Sequence, residues 1–109
     1  MNKMNIYFSE DSELAEYEAI SKGYRTDIFV KIEDVFYNVR AYTMLRLQQD
    51  FESENEDYGY YTVDPNLILV KDANRSEIAF TIGKLYEQKY FEEIKPVEKV
   101  DISSLKRIY

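Results

Sequence analysis

Apolar and polar side chains alternate strictly from Thr26 to Ile32. Ile28, Val30 and Ile32 fall on one side, and Asp27, Phe29 and Lys31 on the other. Val35 to Tyr42 alternates again, with Val35, Tyr37, Val39 and Ala41 opposite Phe36, Asn38, Arg40 and Tyr42. A period of two marks half-buried strands, and the short Glu33-Asp34 turn between them predicts a hairpin. The turn has no glycine, so its type is not fixed by the residues. Asn5 to Phe8 predicts a short first strand. Ser9 to Ser12 reads as a turn in which Asp11 or Ser12 caps a short helix over Leu14 to Ile20, ended by Gly23.

The period changes after Thr43, a capping residue. Met44, Leu47 and Phe51 stand at i, i+3 and i+7, so one helical face is apolar. This helix is expected to fade near Ser53 to Asn55, where acids accumulate against the helix dipole. Tyr60 to Val63 and Asn66 to Lys71 predict a second strand pair around the Asp64-Pro65-Asn66 turn. Asn74-x-x-Glu77 resembles a capping box and opens a helix whose stripe is Ile78, Ile82 and Leu85, widened by Ala79 and Tyr86. Gly83 interrupts that helix, a cost up to about 1 kcal/mol that close packing would justify. The helix is expected to end near Tyr90-Phe91. Ile94 to Val100 predicts an edge strand interrupted by Pro96, and Ser103 to Tyr109 a last turn or a loose tail.

Short turns between strand pairs imply antiparallel pairing, and amphipathic helices must bury their stripes on a sheet. The expectation is a single α+β domain over residues 1–109. It is two-layered, with a mostly antiparallel sheet of about five strands and two main helices on one face. A chain of 109 residues, 45% of them hydrophobic, is long enough to bury an independent core. Glycine (3) and proline (2) are too scarce for long linkers.

Composition excludes much chemistry. There is no cysteine, hence no disulfide, thiolate metal site or thiol nucleophile. There is no histidine, the commonest general base and transition-metal ligand. No phosphate-binding glycine motif occurs, and a serine triad lacks its base. With 21 acids present, a carboxylate pair at glycosidase spacing carries no information. Enzymatic activity and a cofactor are therefore not expected. The longest apolar runs, such as Leu67 to Val70, fall far short of a membrane span, and Met1 to Asn5 lead into charged sequence instead of a signal peptide. A cytoplasmic protein is the expectation.

Charge is distributed unevenly. Residues 1–46 net −2, residues 47–70 net −6 and residues 71–109 net +1, which together make −7. The middle window holds Asp50, Glu52, Glu54, Glu56, Asp57 and Asp64 and no cation. A negative chain with dispersed cations disfavours direct contact with nucleic acid or an anionic membrane. Solubility alone is usually served by charges of both signs interspersed. Asp50-x-Glu52-x-Glu54-x-Glu56 resembles a calcium loop, but its sixth position is not glycine and Glu52 and Glu54 stand where Asp or Asn ligands are expected. The window therefore reads either as a solvated helix end and loop or as a surface for electrostatic capture of a cationic protein.

Eleven tyrosines accompany six phenylalanines and no tryptophan. Tyr7, Tyr37, Tyr42 and Tyr86 read as ordinary half-buried strand and helix residues. Tyr58, Tyr60 and Tyr61 adjoin the acids across Gly59. Alternation sends Tyr60 and Tyr61 to opposite sides, so at least one faces outward and is available as an interface anchor.

The run Asp50 to Asp57 with its neighbouring tyrosines, in a short acidic α+β chain without catalytic residues, resembles the small immunity proteins of contact-dependent and other polymorphic toxin systems. That resemblance implies a non-catalytic inhibitor bound to a cognate basic toxin, often a nuclease. Asp50, Glu52, Glu54, Glu56 and Asp57 would then steer association, and Tyr58, Tyr60 and Tyr61 would anchor the complex. An adaptor or regulatory subunit of a cellular assembly is the alternative, followed by a mobile-element inhibitor that mimics nucleic-acid charge.

Overall fold

The computed structural model describes residues 4–109; Met1 to Lys3, part of the N-terminal opening read above, lie outside them. The elements are β1 (Met4–Phe8), α1 (Glu13–Lys22), β2 (Tyr24–Ile32), β3 (Val35–Tyr42), α2 (Met44–Tyr58), β4 (Leu67–Leu69), α3 (Arg75–Glu87) and β5 (Lys106–Arg107). Short 3-10 turns at Tyr90–Glu93 and Ile102–Ser104 separate the last two. The strands form one sheet in the order β4-β3-β2-β1-β5, and the fold is α+β.

Alternation dictates the buried face. Ile6, Phe8, Ile28, Val30 and Val39 share one side through the pairs Ile6↔Val30, Phe8↔Ile28 and Ile28↔Val39. Ile78 and Ile82 of α3 join the same cluster, with Phe91 from the following turn. Asn74 caps α3 by accepting the Glu77 amide at 2.8 Å, as its position in the sequence implies. Ser12, the second of the two candidates, caps α1 by accepting the Ala15 amide. Leu14, Tyr17 and Ile20 of α1 stay exposed, and Ala19 is the one residue that helix buries.

Among the described residues Arg25 is the single charged one that is buried, at 5% exposure. A register shift between Arg25 and Ile28 adds a residue to β2, and Arg25 pairs with Ala41 on the core side. Its guanidinium lies 3.6 Å above the Phe8 ring. Nε donates to Asp27 Oδ1 at 2.7 Å, and Nη2 donates to the Glu10 carbonyl. Nη1 is 3.6 Å from Glu16 Oε1, an ion pair without a hydrogen bond. Glu16 Oε2 accepts the Arg75 amide at 2.8 Å. One buried cation therefore joins β2, α1 and the start of α3.

Four expectations are corrected. Asp64-Pro65-Asn66 does turn the chain, but Tyr60 to Val63 form no strand. β4 instead runs parallel to β3, with Arg40↔Leu67, Ala41↔Ile68 and Tyr42↔Leu69. Strand propensity is a preference for a pleated partner, and these residues have none. Ile94 to Val100 contribute only the bridge Phe36↔Val97. The fifth strand comes from the tail: β5 pairs antiparallel with β1, and Ile108 packs against the core. Gly83 meets no atom within 4 Å of where a Cβ would stand, so close packing is not its reason.

Two stability measurements follow. Gly83→Ala adds a methyl into open space at an ordinary helical position and raises stability by about 0.5–1 kcal/mol in urea unfolding. Burial pushes the Asp27 carboxyl up, but the Arg25 bond and charge, with the Glu10 amide and Ser9 hydroxyl, outweigh it and hold the group below its ordinary value of 3.8. Its contribution is present above that value and is lost as pH falls toward the lower folded-state value. Asp27→Asn should cost about 1–3 kcal/mol at pH 7 and flatten the acid limb of the stability curve below about pH 4.

Candidate functional site

The acidic window stands on a helix attached at its root. Gly23 takes the left-handed conformation (φ 78°), and its carbonyl accepts the Thr43 amide at 2.9 Å. A Cβ there would lie 2.9 Å from Thr43 Oγ1 and 3.1 Å from Arg46 Cβ, so only glycine fits. Thr43 caps α2 by accepting the Arg46 amide. The Arg46 guanidinium lies 4.5 Å from the Tyr24 ring centre, and Tyr24 stacks on Tyr42. Beyond its first two turns the helix leaves the body of the protein. It buries no residue, and every residue from Phe51 to Tyr60 is exposed.

The helix runs to Tyr58 and does not fade at Ser53 to Asn55. Gly59 (φ 84°) ends it in the left-handed conformation, its amide donating to the Asn55 carbonyl at 2.8 Å. That stop signal, two residues past the last acid of the run, outweighed the unfavourable dipole in deciding the length. The dipole itself is unrelieved: the last turn carries no basic residue. Glu52 and Glu56 stand at i, i+4 and repel along the same side.

The six acids divide into two groups. Asp50 is paired within the chain, accepting from Arg46 Nε at 3.0 Å, and Asp64 accepts from Arg40. Glu52 accepts only from the neutral Gln48 amide at 3.1 Å. Among the described residues no ion pair involves Glu52, Glu54, Glu56 or Asp57. Of the six acids in this window, the four without an ion pair all lie on the outer half of α2.

The chain returns along α2 and is fastened again at the sheet. Asn66 Nδ2 donates to the Asn38 carbonyl, the Arg40 amide to the Asn66 carbonyl, and the Tyr90 hydroxyl to the Pro65 carbonyl at 2.8 Å. Burial raises the Tyr90 phenol above its ordinary value, which keeps it a donor. Between the fastenings, Tyr61 meets Phe51 edge to face with centroids 6.4 Å apart. Burial, with Tyr42 and Asp50 beside it, raises the Tyr61 phenol. Tyr61 is half-buried, whereas Tyr58 (70% exposed) and Tyr60 (67%) face solvent. Of the expected tyrosine positions, Tyr42 is buried and Tyr7, Tyr37 and Tyr86 are half-buried.

Leu47, Phe51, Glu54 and Tyr58 fall at i, i+4, i+7 and i+11, one face of α2. Opposite them the returning chain closes two hollows that share Tyr61. The inner one, about 230 Å³, is lined by Met44, Leu47, Gln48, Phe51, Tyr61 and Val63. The outer one, about 370 Å³, is lined by Glu54, Tyr58, Tyr60, Tyr61 and Thr62. The spacing of Met44, Leu47 and Phe51 was visible in the sequence as a buried stripe; that it faces this open groove was not.

Among the described residues no group of three or more acids gathers as a metal site, and no helix is long and apolar enough to cross a membrane. No protein-family model, curated protein or solved structure matches the chain.

Glu56→Lys would remove the repulsion with Glu52, create a favourable i, i+4 pair and put a cation near the negative end of the dipole. Amide exchange over residues 54–58 is expected to slow about twofold, with exchange in β2 unchanged.

Proposed function

We propose that this chain is a non-catalytic protein inhibitor of the immunity-protein type, which neutralises a cationic protein toxin such as a nuclease by binding it through the outer half of α2 and the chain that returns from it. One observation carries the reading: Glu52, Glu54, Glu56 and Asp57 stand on a helix clear of the core, without ion-pair partners among the described residues, beside exposed Tyr58 and Tyr60. A nuclease cleft is cationic because it holds phosphate. Carboxylates steer it into contact, and aromatic anchors slow its release. Asp50 belongs to the root of the surface, where Arg46 holds it.

The adaptor reading draws on a different feature, the apolar inner hollow with its half-exposed Phe51 (49%). A permanent subunit contact is more apolar than charge-steered capture needs to be.

Co-expression with the product of a neighbouring effector gene separates the two. Inhibition predicts restored growth and a complex that survives gel filtration. Replacing Glu52, Glu54 and Glu56 together by Lys then slows association about tenfold or more at low salt and flattens its salt dependence. A complex without growth rescue favours the adaptor. Unchanged association of the triple variant removes the acidic helix from the interface.

A further inference from the structure

The groove between α2 and its returning chain has an order along its length. Its inner end is apolar, made by Leu47, Phe51 and Val63, and its outer end is lined by Glu54 together with Tyr58 and Tyr60. Met44 to Tyr58 spans on the order of 21 Å of helix, room for a short segment of another chain. We propose that the groove binds a cationic segment of a protein partner, seating an apolar side chain against Phe51 and the head of an adjacent Arg or Lys between Glu54, Tyr58 and Tyr60. The proposal rests on the inhibitor reading above and names what that surface grips.

Charge complementarity selects this occupant. A second copy of the chain would bring Glu52, Glu54, Glu56 and Asp57 against their own images, with no cation in the last turn of either helix to relieve them. A cation at Glu54 meets three needs at once. It pairs with the carboxylate, it enters a hollow that Tyr58 and Tyr60 also line, and it lies at the end of α2 where the dipole is negative. The apolar anchor accounts for what charge does not. Phe51 and Val63 are half-exposed although the sheet has a core in which such side chains are normally buried.

The probe is a synthetic amphipathic peptide of about a dozen residues carrying leucines and arginines on one stripe, with two controls in which Glu replaces Arg or Ser replaces Leu. Amide chemical shifts of the full chain are followed by NMR at about 50 mM and about 300 mM salt. The expected result is a shift pattern centred on residues 47–63, binding weakened by salt, and weaker binding by both controls. Glu54→Gln and Tyr58→Ala, both outside the core, should each weaken the parent peptide about threefold. Shifts centred elsewhere, equal binding by the Glu control, or indifference to both substitutions overturns the groove. Growth rescue in co-expression is read separately. Rescue with a groove-indifferent peptide leaves inhibition standing and the groove wrong; groove binding without rescue leaves the groove standing and the inhibition wrong.

Discussion

The left-handed turn at Gly23 governs what the acidic segment does. Its carbonyl holds the Thr43 amide, and its missing Cβ lets Thr43 and Arg46 approach to a distance no side chain would tolerate. Arg46 then covers Tyr24 and pairs with Asp50. These contacts use up the first two turns of α2. The remainder has no surface of the core to lie on and extends outward, and the molecule reaches 45 Å along its longest axis against 25 Å along its shortest. Asp64, Pro65 and Asn66 fasten the returning chain at the far root, so the projecting arm has two fixed ends.

An arm built this way is electrostatically incomplete. Its outer half gathers like charges at the end of a helix where cations are favoured, and supplies none. Natural helices usually avoid this, because each unfavourable pairing costs a few tenths of a kcal/mol with no packing to offset it. Breaking a local rule without a compensating contact inside the fold points to a contact outside it. The core shows the opposite arrangement. Buried Arg25 finds Asp27, Glu16, the Glu10 carbonyl and the Phe8 ring within its own chain.

Much of the core was legible in the sequence, because it is written in strict periods. Ile28, Val30 and Val39 alternate, Ile78 and Ile82 recur at i+4, and Ser12, Thr43 and Asn74 each stand directly before the helix they cap. What was not legible depends on partners far along the chain. Arg25 lies one residue before the alternating run, and the bulge that turns it inward has no local signature. Tyr60 to Val63 have strand-forming side chains, yet the edge of β3 was taken by Leu67 to Leu69. Two residues of the tail complete the sheet, a pairing too short to leave a pattern. For the candidate surface, the sequence located the acids and tyrosines but did not separate Asp50 and Asp64, held by Arg46 and Arg40, from the four acids beyond them.

The central claim is that residues 51–58 carry no packing on the core: Glu52, Ser53, Asn55, Glu56 and Asp57 face solvent, and Phe51, Glu54 and Tyr58 line only the open groove. The absence of cysteine makes a direct measurement simple: single cysteines placed in turn at each of these positions, labelled with a neutral thiol reagent in native buffer and in urea. The account predicts native rates close to the unfolded ones at positions 52, 53, 55, 56 and 57, with modest slowing at the groove positions 51, 54 and 58. Strong protection at positions 52, 53, 55, 56 or 57 would mean that the acidic side of α2 is docked on the protein itself, and would contradict it.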